Sequence, residues 1–182
     1  MDGKRNGSTG LRRRTILIAA AVTLAPMKAW AGDAEDAGAF LREVYGLYEK
    51  KRNWQGISFT PGLRARYFTA DLTRIWSGME SDFDKAGLVG PIDFDPVTQG
   101  HGEVPVSRLA IGKPVVSGDR AEATVSLREG GAPAKLVIRL KREPAGWRID
   151  DIAQPEGEYA WELRKILAQA YREQFGKDYS PA

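Results

Sequence analysis

Between Val106 and Ile152 apolar residues recur at every second position, and no other stretch constrains the fold as strongly. Ala121, Ala123, Val125 and Leu127 alternate with Glu122, Thr124, Ser126 and Arg128. Leu136, Ile138 and Leu140 alternate with Lys135, Arg139 and Lys141, and Trp147, Ile149 and Asp151 with Arg148, Asp150 and Ile152. Ser107, Leu109 and Ile111 open the series. A period of two sends alternate side chains to opposite faces of a strand. Ser117-Gly118-Asp119 and Glu143-Pro144-Ala145-Gly146 read as turns, and Glu129 to Pro133 as a loop. Strands joined by links this short pair antiparallel, with one face free to meet water. The stretch therefore predicts a four-strand meander whose apolar face needs cover.

Helical periodicity elsewhere supplies that cover. Phe40, Leu41, Val44, Leu47 and Tyr48 share one face of a first helix running from Ala39 to about Asn53. Thr60-Pro61 suits the start of a second, because proline at the first helical position gives up an N–H that has no partner there. Leu63, Tyr67, Phe68, Leu72, Ile75 and Trp76 form its stripe, and Gly78 is a natural stop. A third helix is predicted from Gly157 to Phe175, closed by Gly176. Gly78 to Pro105 has no period, and so long a structureless run within a domain tends to be functional. The expected fold is α+β: a four-stranded, curved, cone-like antiparallel sheet packed on two N-terminal helices and one C-terminal helix, over residues 39–176.

The N-terminus reads as an export signal. Lys4 to Arg14 is basic, Ile16 to Ala25 is apolar but too short to cross a bilayer, and Ala29-Trp30-Ala31 offers a cleavage site before Gly32. Arg13-Arg14-Thr15-Ile16-Leu17 also fits a twin-arginine pattern, with ordinary secretion as the alternative. Residues 32–38 are then a disordered lead-in. The chain holds 27 basic and 24 acidic residues, of which six and one precede Gly32; the remainder has 21 basic against 23 acidic. The basic excess thus belongs to the leader, and nothing predicts a nucleic-acid surface. With no cysteine there is no disulfide and no thiolate chemistry. The expected location is periplasmic or secreted, without a transmembrane anchor once the leader is cut.

Several ordered pieces are similar to the exported bacterial family called domain of unknown function 3828. They are Phe40-Leu41 through Val44-Tyr45-Gly46-Leu47-Tyr48, Phe59-Thr60-Pro61-Gly62-Leu63, Ile92-Asp93-Phe94-Asp95-Pro96, Gly146-Trp147-Arg148-Ile149-Asp150-Asp151-Ile152 and Leu163-Arg164-Lys165-Ile166-Leu167. The resemblance implies a fold like nuclear transport factor 2, or cystatin, in which a curved sheet wraps a helix around a pocket. It brings no settled activity. The chain departs from the pattern after Asp-Phe-Asp-Pro, where Gln99 is followed by Gly100-His101-Gly102 instead of an aspartate.

Four residues, Asp93, Asp95, His101 and Asp151, are the candidates for catalysis. Asp93 and Asp95, with His101 and Glu103, are of types that hold metals, and a carboxylate in an apolar cone can serve as a general base. The other reading is that Asp93 and Asp95 fold the loop through side-chain bonds to backbone N–H groups. No metal-binding loop pattern is completed, so neither metal nor cofactor is called for. His101, the one histidine, stands between glycines in what reads as an exposed turn. Of Asp150 and Asp151, alternation turns one to the inner face as a possible base; the alternative is a polar strand end. Tyr45, Tyr48, Trp76 and Trp147 are candidates to line a ligand pocket, or else to pack the core. The favoured function is a non-catalytic module binding a small ligand or an envelope protein. The alternative is a small isomerase- or hydrolase-like enzyme with an aspartate base.

Overall fold

The computed structural model describes residues 28–50, 54, 56–101, 106–129, 131–157 and 160–181. The basic and apolar parts of the expected leader lie outside them, as does Glu103. In chain order the elements are α1 (Lys28–Tyr48), α2 (Pro61–Tyr67), α3 (Ala70–Lys85), β1 (Ser107–Ile111), β2 (Val115–Ser117), β3 (Arg120–Glu129), β4 (Ala132–Glu143), β5 (Gly146–Gln154), β6 (Trp161–Glu162) and α4 (Leu163–Phe175). The sheet is antiparallel, ordered β1-β3-β4-β5-β6, with β2 also paired to β3.

The four-strand, three-helix cone expected from the sequence is overturned: among the described residues there are six strands and four helices. Each difference has a local cause. Gly112-Lys113-Pro114 does interrupt the first strand, since proline has no N–H to give to a ladder. Yet the Gly112 N–H donates to the Thr124 carbonyl (2.8 Å), which keeps the chain against β3. Pairing resumes at once, Val115 opposite Glu122 and Ser117 opposite Arg120. β6 is two residues long and pairs with Ala153 and Gln154. An element that short has no period, and it falls within the span predicted as the third helix, which starts at Leu163 rather than Gly157.

The predicted second helix is two helices. Phe68 and Thr69 are extended between them; the Thr69 N–H donates to Ile149 O (2.9 Å), and its Oγ1 accepts from the Leu72 N–H as an N-cap. The apolar stripe runs unbroken across this joint, which is why periodicity conceals it. At the other end α3 continues through Gly78 to Lys85. The missing side chain there admits the C-terminal tail: a Cβ on Gly78 would lie 1.8 Å from the Tyr179 hydroxyl. Residues 32–38, expected as a lead-in, fall inside α1, with Ala37 fully buried; α1 ends at Tyr48, before the predicted Asn53.

The alternation of the meander is realised on β3 and β4. Ala121, Ala123, Val125 and Leu127 of β3 and Leu136, Ile138 and Leu140 of β4 are buried. They join Leu41, Val44, Leu72, Trp76, Ile149, Ile152, Leu163 and Leu167 in one contiguous core. β5 departs from simple alternation. Leu140 pairs with Ile149 but Arg139 with Asp151, so Asp150 is an extra residue. This bulge slips the alternation by one, and Ile152, opposite Ile138, takes the apolar face in place of Asp151.

Candidate functional site

The Ala86–His101 connection is built around one buried carboxylate. Asp95 is 2% exposed. Its Oδ1 accepts from the Val97 N–H (3.0 Å) and the Ser58 hydroxyl (2.5 Å), and its Oδ2 accepts from the Tyr48 hydroxyl (2.5 Å). The backbone of the same residue closes the loop. Its N–H donates to Gly100 O, and its carbonyl accepts from the Thr98 and Gln99 N–H groups. The Tyr48 oxygen in turn accepts from the Ile57 N–H, and the Tyr45 hydroxyl donates to Val97 O. Burial, then the nearby Asp95 charge, pushes both tyrosine hydroxyls well above their ordinary value, so they remain protonated donors. Gly56 lets the chain approach: φ is +86°, and a Cβ there would lie 1.7 Å from Asp95 Oδ2.

Arg64 of α2 braces this assembly from outside. Its Nε donates to Ser58 O, and its two terminal nitrogens grip Glu80 of α3 at 2.5 and 2.8 Å. The guanidinium also lies 4.4 Å from the centre of the Trp76 ring. The side chain is 3% exposed, so a fork of bonds satisfies a cation removed from water. Sequence reasoning singled out none of Gly56, Ser58, Arg64 or Thr69. Thr69 ahead of an acidic first turn at Asp71 is the cue to a cap there.

Three of the four candidate residues meet. Phe59, Asp93, Asp95, Gly100 and His101 border a recess of about 270 Å³. Asp93 and His101 are exposed, and the imidazole Nδ1 is 3.1 Å from the Asp93 carbonyl oxygen rather than bonded to a carboxylate. Among the described residues no group of three or more His, Asp or Glu is placed to hold a metal ion.

Asp151 stands apart, on the polar side of the sheet with Arg139 and Glu122. Its Oδ1 accepts from the Ile152 and Arg164 N–H groups, and its Oδ2 is 3.1 Å from Arg139. Burial raises its pKa against the pull of those N–H groups. Of the two readings of this strand end, an inner-face base or a polar end meeting water, Asp151 follows neither: it is buried on the polar side and docks the start of α4. Its neighbour Asp150 behaves oppositely. Burial works to raise it, but Arg164, Arg120 and Thr69 hold it below the ordinary carboxylate value.

The aromatic candidates are all buried. Tyr45 and Tyr48 serve Asp95. Trp76 packs edge-on to Phe59 and Phe68, and Trp147 lies under Arg142 at 4.6 Å. Among the described residues, no helix is long and apolar enough to cross a membrane.

No family model and no curated protein matches the chain. Among solved structures, it is similar to a chain of the type VI native effector-immunity complex Tae3-Tai3 from Ralstonia pickettii. The two are 21% identical over 67% of this chain and 96% of that one, with a TM-score of 0.44. A phospholipid-binding protein from Ralstonia solanacearum, in complex with a phospholipid, is 15% identical over 82% of each chain, with a TM-score of 0.32. Likenesses this loose carry no function across.

Proposed function

We propose that the chain is a non-catalytic binding or protein-interaction domain, delivered to the periplasm or the exterior by its leader, and that the Ala86–His101 loop is its recognition surface. One observation carries this reading: the buried carboxylate of the loop is spent on holding the loop. A general base must reach a substrate proton, and Asp95 instead receives donors from Tyr48, Ser58 and Val97. The same bonds fix the Asp95–Gly100 end of the connection, whose other end presents Leu88 and Val89, the latter 81% exposed. A loop ordered in advance pays less entropy on binding. The ordered pieces from Phe40 to Leu167 support placing the chain in the domain of unknown function 3828 family, with the departure at Gly100-His101.

The test is a photoreactive amino acid placed at Val89 of the exported chain. It should form one discrete cross-link with an envelope component, and Leu88→Asp should remove it. No cross-link, or one indifferent to Leu88→Asp, would refute the assignment. So would a turnover activity that disappears in Asp93→Asn.

A further inference from the structure

A recess of about 550 Å³ lies at the end of the sheet where β3 turns into β4. Its wall carries three cations, Arg108, Arg128 and Lys135, and one carboxylate, Glu156. Lys135 pairs with Glu156 at 2.7 Å, and the Arg128 guanidinium is fixed by donation to Gly131 O. Arg108 makes no side-chain hydrogen bond or ion pair among the described residues.

The backbone is what makes this wall unusual. Among the described residues two non-glycine positions have positive φ, Gln99 at 63° and Arg108 at 51°, and both line this recess. A residue with a Cβ pays to adopt that conformation, and such residues gather at ligand clamps. At Arg108 the distortion coincides with a break in register between Ser107 and Ala110, a bulge of the sort that re-aims a side chain. Gln154 adds a second signal. Its Nε2 donates to Glu156 O, leaving a buried Oε1 with no donor among the described residues. The recess thus offers an excess of positive charge and one acceptor in want of a hydrogen.

We propose that this recess binds an oxyanion, the phosphate or carboxylate of a small ligand, held by Arg108 and Arg128 with Lys135 alongside. Guanidinium groups match such anions through paired, charge-assisted bonds. A hydroxyl or N–H beside the anion would answer Gln154. The recess touches the Ala86–His101 loop only through Gln99 and includes neither Leu88 nor Val89, so the anion test and the Val89 cross-linking test can fail separately.

Isothermal titration of the full-length chain with glycerol 3-phosphate, and separately with succinate, tests it. Saturable binding of one or both is expected, weakened at least about tenfold by Arg108→Gln and diminished by added salt. Preference for the first probe assigns a phosphate ligand, and preference for the second a carboxylate. Lys135→Gln provides a second exposed variant should Arg108→Gln disturb the fold. Binding of neither probe at millimolar concentration, or binding unaltered in both variants, would overturn the proposal.

Discussion

The Tyr48 hydroxyl on α1 donates to Asp95 Oδ2 at 2.5 Å, across 47 positions of sequence. That bond ties the first helix to a loop with no regular structure of its own, and Ser58 and the Val97 N–H bind the same carboxylate. Removing the acceptor strands three buried donors, whereas removing one donor leaves two. Asp95→Ala should therefore destabilise by about 3–5 kcal/mol, and Tyr48→Phe by about 1.5–3 kcal/mol. Urea unfolding measures both. The double variant Tyr48→Phe with Asp95→Ala should cost clearly less than the sum, because the two share one network. Strict additivity would show that the network is not a unit.

Gly56 should be the least replaceable glycine. Its φ of +86° already disfavours any side chain, and the Cβ of alanine would collide with Asp95 Oδ2. Gly118, at φ +61°, has open space where its Cβ would go. Gly118→Ala should cost about 1 kcal/mol from backbone strain alone, and Gly56→Ala about 3 kcal/mol or more. Thermal melts of the two variants side by side separate strain from collision.

Asp150 and Asp151 are neighbours with opposite expected pH behaviour. Asp150 is held below its ordinary 3.8, so the folded state releases its proton more readily than the unfolded chain does. Its stabilisation is present above that value and is lost as pH falls through the folded pKa. The stability of the native protein relative to Asp150→Asn should be greater at pH 7 than at pH 3. Asp151 is raised above 3.8, so the folded state keeps its proton longer. Stability from this group falls as pH rises from 3.8 through the folded pKa. The advantage over Asp151→Asn should be greater at pH 4 than at pH 7. Urea midpoints across that range give both signs, and equal signs would contradict the environments described for the pair.

The meander was legible because burial on one face writes itself as a period of two, clean from Ala121 to Leu140. What escaped was short or irregular. β6 has too few residues to show a period, and the bulge at Asp150 is a change of count rather than of composition. The joint at Thr69 lies within an uninterrupted apolar stripe, so its cap competed with a stronger signal. The Asp-Phe-Asp-Pro element reads either as chemistry or as a loop folded on backbone N–H groups, and Asp95, accepting from the Val97 N–H, fits the second. Asp93, with the same side chain two residues earlier, lies exposed. Sequence spacing did not separate the two, because the difference comes from Tyr48 and Ser58, which only the folded chain brings near.

The passage of α1 through the Ala31–Gly32 position has a bearing on maturation. Were the chain severed there, the surviving helix would begin at Gly32-Asp33-Ala34-Glu35-Asp36, with three acids at its amino end and none of the preceding basic charge. Carboxylates near that terminus interact well with the helix dipole, and aspartate is a good first cap. Asp33 is also anchored to Arg142 at 2.6 Å. A cut after Ala31 would thus hand the domain a ready-made helix start, with no need to refold its first element.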